Sequence, residues 1–149
     1  MIFTDKLKIY LDNCCFNRPY DDQSNLLVLL ETEAKLYIQT LIFEEKLSLV
    51  WSFVMDYENN QNPFEERKRN ISGWKSLSLI DCDLCGEITE SAKNLMALGL
   101  RQKDASHIAC ALYSKADCFI TTDKKILNKS VSGLHIINPI DFVRRYFNE

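Results

Sequence analysis

Ile9, Tyr10 and Leu11 form a short unbroken apolar run that stops at Asp12 and Asn13, the pattern of a strand buried on both faces. A polar turn from Arg18 to Asp22 follows. Asp22 or Ser24 then caps a long helix reaching residue 45, with apolar residues at Leu26, Leu29, Leu30, Tyr37, Leu41 and Ile42. Residues 47–51 read as a second strand. Ser52 caps a helix through residue 60, and Asn62 with Pro63 opens another, since proline is tolerated in a first turn. Residues 77–80 read as a short strand or extended link. Residues 84–98 are helical, with Ile88, Ala92, Leu95 and Met96 on one side and Gly99 as the stop. A helix over 103–114, a strand over 118–121, a short helix over 124–128, a strand at Ile136 and Ile137, and a terminal helix over 140–147 complete the pattern.

Strands alternate with helices, and each crossover is long enough to bring the next strand back parallel to the first. The expected fold is α/β: a three-layer α/β/α sandwich around a mostly parallel central sheet, in one domain spanning residues 1–149.

Composition narrows the class. With 46% hydrophobic residues, 4 Gly and 3 Pro in 149, the chain is too apolar for disorder and too poor in Gly and Pro for a linker-rich or collagen-like protein. No run approaches about 18 apolar residues, and Met1 to Lys8 lacks a signal pattern, so a cytoplasmic protein without membrane spans is expected. The formal charge of −3 argues against a protein that coats DNA, whose affinity comes from displacing phosphate counterions, but permits a nucleic-acid enzyme with a local basic rim.

Six cysteines stand at 14, 15, 82, 85, 110 and 118. Cys82 and Cys85 have the spacing of half a zinc knuckle, but a tetrahedral site needs a second half. Cys14 and Cys15 are adjacent, in or beside a strand, where neighbours point to opposite faces. The expectation is reduced, mostly buried thiols.

Ligands of an open parallel sheet gather outside the carboxyl ends of its strands, and several acids fall there. Asp12 follows the first strand, Asp123 follows the 118–121 strand, Asp104 lies in the first turn of a helix, and Glu58 lies one helical stretch after the second strand. Singly these are a turn former, a cap for the 124–128 helix, an ordinary N-terminal acid and a solvated helix face. Together they are four acids delivered to one rim by four distant segments.

Their setting resembles a known family. Ile9 through Asn13, Ser52 with Glu58 six residues on, Lys103 through Ala111 with Asp104 and His107, and Cys118 through Asp123 with Thr121 look like the motifs of the PIN-domain family, and within it the VapC-like toxin ribonucleases. The resemblance covers essentially the whole chain and is most specific over residues 98–127. It implies a metal-dependent endoribonuclease that uses Mg²⁺ or Mn²⁺ held by Asp12, Glu58, Asp104 and Asp123, with Thr121 orienting the site. It also implies an RNA substrate, a small antitoxin partner and a homodimer. The antitoxin groove would be walled by the 24–45 helix and the 62–74 region, and Trp74, Phe64, Phe142, Tyr146 and Phe147 are candidate dimer anchors, although core packing suits most of them. Asp56, Glu65 and Glu66 compete with Glu58 for its role, and the stretch from Cys14 to Pro19 departs from the family pattern.

Elementary electrostatics supports a cation. Two carboxylates about 6 Å apart repel by roughly 3 kcal/mol at an effective dielectric near 20. Six such pairs would reach roughly 16 kcal/mol as a ceiling, comparable to the whole stability of a domain. Oxygen ligands suit Mg²⁺ or Mn²⁺ rather than zinc.

His107 reads as a packed or hydrogen-bonded side chain rather than a general base, and Arg18, Arg101 and Lys103 are candidates for phosphate contact. Asp21, Asp22 and Asp117 read as turn and capping groups. A haloacid-dehalogenase-type phosphatase would need an acid where Cys14 stands, and the glycine-rich phosphate loop is absent. The alternative from another class is a catalytically silent PIN-fold module that binds RNA or protein.

Overall fold

The computed structural model describes residues 6–147; the part of the signal-pattern reading that concerns Met1 to Asp5 lies outside the described residues. Five strands form one all-parallel sheet in the order β3-β2-β1-β4-β5: β1 Lys8–Leu11, β2 Ser48–Ser52, β3 Ser78–Cys82, β4 Cys118–Ile120 and β5 His135–Ile137. Helices carry every return. They are α1 Asn13–Asn17 and α2 Leu26–Phe43 after β1, α3 Phe53–Asn60 and α4 Glu65–Ser72 after β2, α5 Gly86–Met96 and α6 Gln102–Tyr113 after β3, α7 Lys124–Leu127 after β4, and α8 Pro139–Tyr146 at the end.

The expected α/β/α sandwich is therefore present. In central β1, Ile9 and Leu11 point to one face and Tyr10 to the other, yet none exceeds 1% exposure. Both faces of the sheet are covered, as a parallel sheet requires. Tyr10 stacks on Phe119 at 5.2 Å and Phe16 meets Trp51 edge-on at 5.7 Å. The chain builds β1, β2 and β3 outward in one direction and then crosses to β4 and β5 on the other side of β1. Strand order thus reverses between β1 and β4, where a parallel sheet opens its ligand crevice.

Local signals set most boundaries. Ser52 Oγ accepts from Met55 N and starts α3, Asn138 caps α8 with Pro139 in its first turn, and Gly99 takes φ +96° to end the segment after α5. Four expectations need correction. The cap of α2 is Asn25, whose side chain accepts from Val28 N, while Asp22 closes a turn on Ser24 N. Asn62 closes a similar turn on Phe64 N, so α4 begins at Glu65 rather than at Pro63. Cys14 and Cys15 lie in the helix α1, which five residues are too few to announce by periodicity and which Asp12 caps.

The fourth correction concerns which side of α2 faces inward. Leu41 and Ile42 are buried, but Leu26, Leu30 and Phe43 are exposed, and Glu31, Lys35 and Gln39 are buried in their place. Glu31 is held by Arg18 at 2.8 Å, and the Lys35 ammonium lies 5.6 Å from the centre of the Phe16 ring. Partners from the segment after β1 thus turn the polar stripe of α2 inward. Phe142 is fully buried and so is no dimer anchor, while Trp74, Tyr146 and Phe147 pack against the core and Phe64 stays exposed. Among the described residues no helix is long and apolar enough to cross a membrane.

Candidate active site at the carboxyl edge of the sheet

The first strand delivers Asp12. Its backbone N–H continues the parallel ladder by donating to Ile120 O at 2.9 Å, and its Oδ1 accepts from Asn13 N at 2.8 Å, which starts α1. Across the reversal point, Thr121 Oγ1 donates to Asp12 Oδ2 at 2.8 Å and accepts from Asp123 N at 3.1 Å. The Cys14 thiol also donates to Oδ2, at 3.4 Å. Burial raises the pKa of Asp12, although His107 and the Thr121 hydroxyl pull against that rise.

Glu58 arrives from α3, two turns after its Ser52 cap. Its Oε1 accepts from His107 Nε2 at 2.7 Å and its Oε2 from Lys103 Nζ at 3.2 Å. Burial pushes this carboxyl up, but the His107 hydrogen bond and charge, with Lys103, outweigh it and pull the pKa down to about 2. The competing acid Asp56 is turned away, accepting from Trp51 Nε1 at 2.9 Å and Lys75 Nζ at 3.0 Å.

The helix α6 contributes Asp104 and His107, three residues apart and therefore on one face. Asp104 is 6% exposed and pairs with Arg101 Nε at 3.4 Å, while Asp123, which caps α7 through Lys125 N, lies 3.9 Å from the same guanidinium. Burial works to lower the Lys103 pKa, but Glu58 and then Asp104 and Asp12 raise it above the usual lysine value.

The sequence-predicted residues thus fall into two linked groups. Asp12 and Glu58 come together with His107, one ligand atom from each lying within 4.8 Å of the others. Asp104 and Asp123 are not in that cluster; they share Arg101, and Thr121 joins Asp12 to the Asp123 backbone. His107 is packed and hydrogen-bonded, as expected. Its place between the two carboxylates was not anticipated, and neither was Tyr10, whose hydroxyl meets His107 Nδ1 and Ser52 Oγ. The usable signals were positional: Tyr10 stands two residues before Asp12 on the same strand face, and His107 three residues after Asp104. Arg18 is committed to Asp21 and Glu31.

Two open concavities flank the Glu58–Lys103 pair. One of about 540 Å³ is lined by Phe53, Tyr57, Gln61, Gln102, Lys103 and Ser106, and one of about 310 Å³ includes Asn13, Glu58, Asn62, Arg67 and Lys103. A further concavity of about 650 Å³, between β5 and α8, holds none of the four predicted acids.

No curated protein matches the chain. Among solved structures, the fold is similar to a chain in the crystal structure of VapBC2 from Rickettsia felis bound to a DNA fragment from their promoter. The likeness has a TM-score of 0.56 at 14% identity and covers 89% of this chain and 98% of that one. The family described as PIN domain matches residues 9–131, from the first residue of the buried β1 run to beyond α7, and so takes in every acid described above. By that match, over a sheet whose strand reversal gathers Asp12, Thr121 and Asp123, the chain belongs to the PIN domain family.

Proposed function

We propose that this protein is a metal-dependent endoribonuclease and the cytoplasmic toxin of a toxin–antitoxin pair. The observation that carries the reading is the meeting of Asp12 and Glu58 at the strand reversal of a PIN domain, with Thr121 hydrogen-bonded to Asp12. Carboxylate oxygens are hard donors that fit Mg²⁺ or Mn²⁺, and Asp12 and Glu58 bring one each to within 4.8 Å of the other. Asp12, Glu58, Asp104 and Asp123 are the proposed metal-holding and catalytic acids, with Thr121 as an orienting group. A divalent cation bound there supplies charge to polarise a phosphodiester and to activate water.

The chain's own residues do the rest. Thr121 fixes the Asp12 carboxylate, His107 fixes Glu58, and Lys103, half exposed beside Glu58, is placed to meet a phosphate oxygen. Arg67, stacked 3.9 Å over Phe64, and exposed Tyr57 border the flanking concavities, offering charge and aromatic faces for unpaired nucleotides. As in the complex that its structural neighbour forms, a small antitoxin partner is proposed. A homodimer is proposed as well; it would cover apolar area such as the exposed Leu26, Leu30 and Phe43 of α2.

The test is cleavage of structured RNA by the purified protein with Mg²⁺ or Mn²⁺. Cleavage that disappears with EDTA and in Asp12→Asn supports the reading, whereas binding of RNA with no metal-dependent product points to the silent module.

A further inference from the structure

The concavity of about 650 Å³ between β5 and α8 lies apart from the four acids and carries net positive charge, through Arg144 and Arg145 against Asp141. Residues 124–147, which build α7, β5 and α8, hold five Lys and Arg against that one acid, in a chain whose net charge is −3. We propose that this groove is an RNA exosite, in which Arg144 and Arg145 hold the phosphate backbone of the substrate beyond the bond that is cleaved. The inference rests on the nuclease reading above and adds to it the path of the flanking strand.

The need for such a site is electrostatic. RNA that approaches Asp12, Glu58, Asp104 and Asp123 meets charge of its own sign. The cations beside those acids are engaged with them: Arg101 with Asp104 at 3.4 Å and Asp123 at 3.9 Å, and Lys103 with Glu58 at 3.2 Å. Affinity for RNA comes largely from Lys and Arg that replace phosphate counterions, so much of it has to be supplied from elsewhere on the surface. A basic groove on an acidic protein also steers a polyanion as it arrives, because the local field outweighs the average charge.

Position favours this groove. Asp123 caps α7, and Leu127, at the far end of that short helix, already lines the groove. Such a helix is about 6 Å long, so a strand leaving the acids reaches the groove within a few nucleotides, past the exposed Lys124 and Lys125. The Arg144 side chain is 76% exposed, and among the described residues its one ion pair is with Asp141 at 3.9 Å, a weak surface contact. Arg145 makes no ion pair among the described residues and lies 5.6 Å from the centre of the Tyr146 ring. Two forked guanidinium groups suit phosphate oxygens, which each can bind in pairs. The sheet adds a donor of its own. β5 is the last strand in the order, His135 N donates to Asp117 O and Ile137 O accepts from Thr121 N, so Ile136 between them turns its N–H and C=O away from β4. Ile136 lines the groove, and its N–H is there for a phosphate or ribose oxygen.

The test is the binding of a labelled hairpin RNA with single-stranded flanks, read by fluorescence anisotropy in EDTA over a range of salt. Arg144→Gln with Arg145→Gln should bind at least about fivefold more weakly at low salt, and the slope of log affinity against log salt should fall by roughly 1.5. Lys46→Gln with Lys93→Gln removes the same charge at exposed positions outside the groove and should leave both close to wild type. With Mg²⁺ or Mn²⁺ present, the arginine variant should raise KM for the hairpin and keep kcat, because the groove does not touch the reacting atoms. An arginine variant that binds like the lysine pair overturns the exosite, and so does a wild type without affinity for the hairpin in EDTA. Should the double variant not fold, each single arginine substitution is read in the same way, with about half the fall in slope. RNA that is held by the two arginines but cut with neither metal overturns the nuclease reading instead, and leaves the groove as an RNA site.

Discussion

Thr121 Oγ1 donates to Asp12 Oδ2 at 2.8 Å across the gap between β4 and β1, the two strands at which the sheet reverses order. The same oxygen accepts from Asp123 N, so one hydroxyl, itself 0% exposed, ties together both sides of the crevice. Thr121→Val keeps the shape and removes both bonds. It should lower stability by about 1–3 kcal/mol, because a buried carboxylate and a backbone N–H lose their partner. Cleavage should fall about 10–100-fold, the usual cost of losing a supporting group at a metal site. Urea unfolding and RNA cleavage report the two effects, and Thr121→Ser should recover most of both.

Lys103 occupies the ground on Glu58 that a divalent cation would contest. Its ammonium lies 3.2 Å from Oε2, yet its side chain is half exposed, so the pair is of the weak surface kind. Lys103→Met should therefore raise Mn²⁺ affinity by about two- to fivefold at low salt, the equivalent of an exposed ion pair, with the gain shrinking as salt screens it. RNA affinity should move the other way. Calorimetric titration with Mn²⁺ at two ionic strengths decides, and unchanged affinity at both would mean that Lys103 does not compete with the ion.

The fold was readable where one element carried its own signal. The apolar run before Asp12, the Ser52 cap and Gly99 each act over a few residues, so their consequences survive any tertiary arrangement. The inward face of α2 was not readable, because periodicity says which residues share a face and not which face lies inside. Arg18 on Glu31 and Phe16 under Lys35 decide that, and both partners come from the segment after β1. Glu58 and Asp56 lie two positions apart, and their distant partners tell them apart: Trp51 and Lys75 hold Asp56, His107 and Lys103 hold Glu58. Tyr10 was hidden for a different reason. A phenol in an apolar strand reads as core, and its polar tip has meaning only beside His107, 97 residues away.

Asp12 and Asp104 are each buried acids, and removing their charge should harm chemistry without harming the fold. Burial already raises the pKa of Asp12, so the charged form is the costly one in the metal-free protein, and asparagine preserves the cap on α1. Asp104 loses only its bond to an exposed Arg101 side chain. Asp12→Asn and Asp104→Asn should each lower cleavage by more than about 100-fold, beyond the cost of losing a merely supporting group. Their urea midpoints in EDTA should equal or exceed that of the wild type. A loss of several kcal/mol in both would make these acids structural partners instead.

Lys35 supplies a pH signature independent of the acids. It is 5% exposed on the inner side of α2, with the Phe16 ring as its cation partner. Burial lowers its pKa from 10.5 to about 8, against a smaller upward pull from Cys15. Between those values the unfolded chain binds more protons than the folded one, so stability rises as pH goes from about 8 to about 10.5. At neutral pH the buried ammonium costs on the order of 3 kcal/mol at most. Lys35→Met keeps the stem against Phe16 and removes the charge. It should therefore gain about 1–3 kcal/mol at pH 7 and lose the alkaline gain. Urea unfolding of both proteins at pH 7 and pH 9.5 isolates the effect, since the cysteines and tyrosines titrate in both. A variant less stable than wild type at pH 7 would show that the Phe16 contact outweighs the desolvation of the ammonium.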